Sequence, residues 1–260
     1  MPWSLWPAAL APLLVIALLA WLHSLARGNV NIVDTLWALF FLVATLVYAG
    51  FGQGTRAVPM VALVALWALR LALHLAVRNH GKAEDRRYQA IRRNHSPGFA
   101  WKSLYLVFGL QAVLAWLISL PLFVAAVSPA PCNILDLIGL AIALGGIAFE
   151  AIADRQLSAF KADPANHGRV LDTGLWGWSR HPNYFGEACV WLGFGLIGVA
   201  AGSLWSLLAP ALMTALLLKV SGVSLMEKDI GERRPAYRDY IARTSAFIPR
   251  PPKRHTENRA

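Results

Sequence analysis

The chain is 260 residues long, 57% hydrophobic and only 15% charged, with a mean hydropathy of +0.49. Soluble chains average about 45–50% apolar and about 25% charged, so this composition excludes disorder, collagen-like repeats and nucleic-acid-binding tails and leaves the integral membrane class. The net charge of +10 is then a signal of topology before it is a signal of a polyanionic partner.

A bilayer-spanning helix needs roughly 20 mostly apolar residues. Seven stretches meet or approach that length: residues 5–26, 30–48, 58–77, 103–127, 134–153, 185–200 and 203–226. The first lacks the basic leader and small-residue cleavage site of a signal peptide, and another apolar stretch follows it at once. Basic residues orient the set. Arg27 follows the first stretch, Arg78 to Lys102 hold seven basic residues after the third, and Arg155, Lys161, Arg169 and Arg180 follow the fifth. The tail from Lys228 to Arg259 is basic as well, whereas the alternate connections carry only Arg56. This positive-inside alternation predicts an all-α integral membrane protein, a seven-transmembrane helix bundle with its N-terminus outside and its C-terminus cytosolic. Residues 1–260 read as one transmembrane domain with a short, flexible basic end at about 250–260. Cys132 and Cys189 lie far apart on different segments, so neither a disulfide framework nor a metal site is expected. No internal repeat supports a transporter of inverted halves, and the long cytosolic connections favour a membrane enzyme.

Ionisable side chains within spans are costly and suggest function. Asn31 and Asp34, three apart, open the second span; Arg70 and His74, four apart, lie in the third, with Trp67 one turn before them. Glu150 and Asp154 end the fifth span, and Asn183 and Glu187 begin the sixth, each pair again four apart. Each pair is expected to face protein rather than lipid. Interhelical glue, such as an Asp34–Arg70 pair, is the plainer account of any one of them. His23 and Lys219 are read as structural.

The stretch DRQLSAFKADPANHGRVLDTGLWGWSRHPNYFGE, residues 154–187, is the densest in polar groups. A helix continued past Asp154 would put Lys161 on the same face about two turns on. Arg169, Ser179, Arg180, His181 and Asn183 cluster ahead of a helix start near Pro182, where free N–H groups and the helix dipole favour phosphate. With acceptors at Glu150, Asp154 and Glu187 beside it, the predicted ligand is a nucleotide. The stretch has no Gly-x-Gly-x-x-Gly fingerprint, which excludes a Rossmann site.

The run GLWGWSRHPNYFGE (174–187) resembles the C-terminal signature of the steroid 5-alpha-reductase family, and more closely its bacterial multi-pass branch. RRPAYRDYIARTSAFIP (233–249) is similar to the family's ending, and NIVDTLW (31–37) to the bacterial branch. The resemblance implies a membrane-embedded, NADPH-dependent reductase. Hydride goes to the carbon–carbon double bond of a lipophilic enone, such as a 3-oxo-Δ4 steroid, giving the 5α-reduced product. It implies cofactor positions at Arg70, Glu150, Asp154, Lys161, Arg169, His181, Asn183, Tyr184 and Glu187, with Glu227, Tyr237, Tyr240 and Arg243 in the tail. Asn31, Asp34 and Trp37 fall at substrate positions.

Relatives place a carboxylic acid on the second span and a tyrosine on the third at the substrate carbonyl. Asp34 is the counterpart of the acid and is expected protonated, because burial raises a carboxyl pKa. The tyrosine position holds Trp67, and His74 and Tyr88 are alternative donors. Isoprenylcysteine carboxyl methyltransferases carry similar runs and use S-adenosylmethionine, which makes a lipid carboxyl methyltransferase the alternative function. The expected partners are a steroid-like enone and membrane lipids, with no nucleic acid, around a monomer. The expected location is a bacterial inner membrane in preference to an endoplasmic reticulum.

Overall fold

The computed structural model describes residues 1–52, 54–220 and 236–253. The described residues are helical throughout, and their one β-type pairing is an isolated parallel bridge between Ser179 and Ser245. Five helices are long and apolar enough to cross a membrane: Trp3–Arg27, Ile32–Phe51, Ala57–Asn79, Phe99–Ile118 and Ile134–Ala162. The chain is a multi-pass membrane protein.

By internal packing the chain divides into two compact units, one of Met1–Asp136 with Leu196–Ala209, the other of Leu137–Gly195 with Pro210–Ala260. In the first unit a 3-10 turn over Trp3–Ala9 leads into α1 (Leu10–Arg27), which ends at Gly28 in the left-handed conformation (φ 62°). Then come α2 (Ile32–Phe51), α3 (Ala57–Asn79), α4 (Arg86–Asn94) and α5 (Phe99–Ile118). The third helix shows how a span is built from its sequence. Met60, Leu63, Val64, Trp67, Ala68 and Leu71 are buried, while Leu66, Leu69, Leu73 and Val77 are exposed. In water that second stripe would be an aggregation surface; in a bilayer it is the lipid face.

The predicted fourth span, 103–127, is two helices. The chain breaks at Ser119 and resumes as α6 (Leu120–Val127). Pro121 sits in the first turn of α6, where its missing N–H breaks no hydrogen bond, and it could not have continued the preceding helix. The Ser119 hydroxyl is not left unsatisfied by the break: it lies 2.9 Å from the Tyr48 hydroxyl and 2.7 Å from the Trp116 carbonyl. Within α5, Leu104–Gly109 runs as a π-helix, a wider turn that recurs near functional sites. α4 lies in what the sequence alone presents as a connector.

A buried arginine ties three parts of the first unit together. Arg56, 3% exposed, donates from Nε to Asp136 Oδ1 at 2.6 Å and from Nη2 to Asp136 Oδ2 at 2.7 Å. It also donates to the carbonyls of Ala130, Pro131 and Ala200.

In the second unit the predicted fifth span runs nine residues past its expected end, as α7 (Ile134–Ala162). α8 (Pro182–Ala200) begins at the proline, as expected. Glycines let these two helices approach closely. A Cβ on Gly186 would lie 2.8 Å from both the backbone N and the Cβ of Glu150, and one on Gly193 would lie 2.5 Å from the Gly139 carbonyl oxygen. Without a hydrophobic force between helices in lipid, such small-residue contacts are how spans pack. The predicted seventh span begins as the shorter apolar helix α9 (Leu204–Lys219), and its last residues lie outside the described ones. α10 (Ala236–Arg243) follows in the tail.

Candidate functional site

Two polar clusters stand out, one in each unit. The first is built on Asp34, in the opening turn of α2. Its Oδ1 accepts the Tyr88 hydroxyl at 2.6 Å, and its Oδ2 accepts Arg87 Nη2 at 3.0 Å. Arg78 Nη2 stands 3.9 Å from the same Oδ2. Gln111, two residues past the π-helical turn, donates to the Tyr88 oxygen at 3.3 Å. Of the three expected donors, Tyr88 is the one that meets Asp34. Trp67 is fully enclosed with its ring 5.8 Å from that of Phe41, and Trp37 packs edge-on to Phe41 at 5.1 Å. His74 and Arg70 are half-buried one turn apart on α3.

The expectation of a protonated Asp34 is corrected. With a guanidinium on one oxygen and a phenol hydrogen on the other, Asp34 sits as an acceptor, in the setting of a carboxylate. Its cationic partner is Arg87 rather than the expected Arg70. The Tyr88 hydroxyl is pushed to higher pKa by burial and by the neighbouring Asp34 charge, so it stays a neutral phenol.

The loop before α4 aims Tyr88. Asn31, expected at substrate, spends its side chain on this loop: Nδ2 donates to the Ala83 carbonyl at 3.0 Å and Oδ1 accepts the Asp85 N–H at 2.8 Å. Asp85 caps α4 by accepting the Arg87 N–H. Glu84 accepts the Val30 N–H at 3.2 Å and takes Arg92 on both oxygens, at 2.7 and 2.8 Å. Burial works to raise the Glu84 carboxyl, but the Arg92 hydrogen bond, the Val30 N–H and the Arg92 charge outweigh it and hold it below its ordinary value. Burial likewise opposes, and Arg87 overcomes, in lowering Asp85. A carboxyl lowered in the folded state adds stability that is present above the ordinary carboxylate range and is lost as pH falls through the lowered value. Thermal melts of the purified protein across acidic pH are expected to show this loss, and Glu84→Gln should flatten part of the slope. An identical slope in that variant would remove Glu84 from the pH dependence.

The second cluster lies on α7 and α8. Glu150, Asp154 and Glu187 are all buried, at 4%, 6% and 5% exposure. Asn183 Nδ2 donates to Asp154 Oδ1 at 3.3 Å, and Trp191 Nε1 donates to Glu187 Oε1 at 3.1 Å. His181 is buried with its ring stacked on Tyr184, the centroids 5.5 Å apart and the planes 9° from parallel. Lys161, at the end of α7, and Arg169 are exposed. A cleft of about 440 Å³, lined by Gln156, Phe160, Asp163, Asn166, Leu171 and Thr173 among others, lies in the same stretch. Among the described residues no group of three or more His, Cys, Asp or Glu side chains could hold a metal ion.

The tail residues divide differently from expectation. Tyr240, 1% exposed, donates to the carbonyls of Trp176 and Ser179, and Arg243 pairs with Asp172. Tyr237 packs its ring edge-on to Tyr240 at 5.1 Å. Arg180, read as part of an anion site, instead donates to the Ile241 and Thr244 carbonyls at 3.1 and 2.5 Å, where it caps the end of α10. With the Arg180 N–H on the Ser245 carbonyl and the Arg250 N–H on the Trp178 carbonyl, the tail is stitched to the 172–181 loop. Glu227 lies outside the described residues.

Arg87, Arg78, Gln111 and the Arg56–Asp136 pair escaped the sequence reading. One signal was available: Glu84 and Asp85 are the only acids in an otherwise basic connection, and Asp-Arg-Arg-Tyr is a helix start.

Comparison with known proteins places these clusters in a family setting. A family model described as "Protein of unknown function (DUF1295)" matches residues 20–244. The "Uncharacterized protein C594.04c" of Schizosaccharomyces pombe (strain 972 / ATCC 24843) is 28% identical over 263 residues, which cover 88% of this chain and 75% of that protein. No solved structure matches the chain.

Proposed function

The chain belongs to the DUF1295 family, a family associated with steroid 5-alpha-reductase-like membrane proteins, and from that premise we propose that it is an NADPH-dependent membrane reductase acting on the carbon–carbon double bond of a lipophilic enone. A 3-oxo-Δ4 steroid is the type of substrate, and the seven-span, N-outside topology belongs to the same proposal. The observation that carries the reading is the Tyr88 hydroxyl, buried, neutral and set by Asp34 2.6 Å away, at the end of a span. Reducing an enone at its β-carbon makes an enolate at the carbonyl oxygen, and a fixed weak acid is what that oxygen requires.

The side chains of the second unit fit a phosphorylated dinucleotide. The buried Glu150, Asp154 and Glu187 with Asn183 offer acceptors and an amide for hydroxyl and carboxamide groups, and the exposed Lys161 and Arg169 offer cations for phosphates. When bound, the cofactor supplies the hydride. The residues bind and orient it, while Tyr88 presents its proton to the substrate oxygen and Asp34 fixes the direction of that hydroxyl.

The test is thermal stabilisation of purified protein. A ligand at about 100 times its dissociation constant adds about 2.7 kcal/mol. NADPH is expected to raise the melting temperature, with NADH weaker and S-adenosylmethionine without effect, and NADPH should be consumed when a 3-oxo-Δ4 steroid is added. Stabilisation by S-adenosylmethionine alone would favour a lipid carboxyl methyltransferase instead.

A further inference from the structure

A carboxylate beside the reacting oxygen is a liability. During enone reduction that oxygen gains negative charge, and an unopposed Asp34 would repel it in the same low-dielectric surroundings that make the Tyr88 hydrogen bond strong. The structure supplies the counter-charge. Arg87 Nη2 lies 3.0 Å from Asp34 Oδ2, and the guanidinium is fixed at its root, with Nε donating to Asp85 Oδ1 at 3.0 Å. The Arg87 backbone N–H reaches the same Asp85 oxygen at 2.9 Å, so helix start and side chain are set by one carboxylate. Arg78 stands farther off, at 3.9 Å, with a side chain 41% exposed against 28% for Arg87. The two Asp34 oxygens are thereby divided: one takes a cation and the other takes the phenol.

We infer that Arg87 is a positioning residue for the reduction: it neutralises Asp34 and holds it as the acceptor that aims the Tyr88 hydroxyl, so Tyr88 and not Asp34 is the group that gives a hydrogen to the substrate oxygen. This rests on the reductase reading above. Asp34 keeps its charge throughout, and the one proton that moves is the phenolic proton of Tyr88. Asp85 belongs to the device because it holds the guanidinium before any substrate arrives. Gln111, bonded to the Tyr88 oxygen, fixes the ring from the other side.

The experiment is a double-mutant cycle on the full chain in detergent or nanodiscs, using NADPH and a 3-oxo-Δ4 steroid. It reads kcat, KM and the NADPH dissociation constant for wild type, Arg87→Gln, Arg87→Lys, Asp34→Asn and the Arg87→Gln/Asp34→Asn pair. Arg87→Gln is expected to lower kcat by about 10- to 100-fold, the range lost when a partner that orients an active group is removed. Its KM and NADPH affinity should stay near those of wild type, and Arg87→Lys should recover part of the kcat. In the Asp34→Asn background Arg87→Gln should cost nothing further, since no charge remains to be offset. Independent losses that multiply, or a raised KM at unchanged kcat, would overturn the inference. If Arg87→Gln does not fold, Arg87→Lys decides: kcat above that of Asp34→Asn supports it, and kcat equal to it overturns it. A wild-type protein that binds NADPH yet reduces no enone would refute the function itself, and Arg87's role with it. A wild-type protein that turns over, with an equally active Arg87→Gln, refutes Arg87 alone.

Discussion

Tyr88→Phe is expected to lower kcat for enone reduction by about 10²- to 10³-fold, the loss typical when one donor to a developing oxyanion is removed. The ring would remain where it is, because 95% of its surface is already covered and the change deletes a single oxygen. Cofactor binding, carried in this reading by residues of α7 and α8, should be unaffected. KM should change little, because a hydroxyl that matters only as charge develops contributes to the transition state and not to the ground state. Equal falls in kcat and kcat/KM would therefore be the signature. Asp34→Asn should behave similarly, keeping NADPH affinity and losing turnover, since an amide can still accept the phenol but pairs poorly with Arg87. An unchanged kcat in Tyr88→Phe would send the donor role back to His74 or Trp67 and leave the Asp34 network a purely structural one.

The spans were legible because membrane helices declare themselves by continuous apolar length, and the five longest helices coincide with predicted stretches. Boundaries were not, where a single residue decides. Pro121 reads as tolerable within an apolar run, yet the chain turns at Ser119 because the hydroxyl there finds Tyr48 from another helix, a partner 71 residues away. The same distinction governs the sites. Glu150 with Asp154 and Asn183 with Glu187 could be paired by helical periodicity, which is local. Tyr88 with Asp34 could not, for the two are separated by 54 residues and joined by a loop whose geometry is set by Asn31, Glu84 and Asp85. Arg180 misled for a physical reason. A cation before a helix start looks like an anion site, but a guanidinium with five donors is equally suited to the free carbonyls at another helix's end. Which it serves depends on the fold of a tail more than 60 residues further along.

Arg56→Ala is expected to be the most destabilising single change, by about 3–5 kcal/mol, because removing one partner of a buried ion pair strands the other. Here the stranded group is Asp136, whose side chain is 14% exposed, at the start of a spanning helix. The loss extends beyond the pair. The same guanidinium satisfies carbonyls at Ala130, Pro131 and Ala200, so one side chain closes the connection after α6 onto the end of α8. Arg56→Lys should recover little, since an ammonium cannot make the two parallel bonds to Asp136 while also reaching the carbonyls. The pair itself is replaceable in principle. Arg56→Met with Asp136→Leu removes both charges and should melt above Arg56→Ala alone, short of wild type by the cost of the three abandoned carbonyls. Thermal melts in one detergent, with turnover measured well below each midpoint, separate stability from chemistry. Arg56→Ala should melt early and, while folded, reduce substrate at the wild-type rate. A melting temperature within a degree or two of wild type would mean that the connection is held by its apolar packing, with Arg56 contributing only charge.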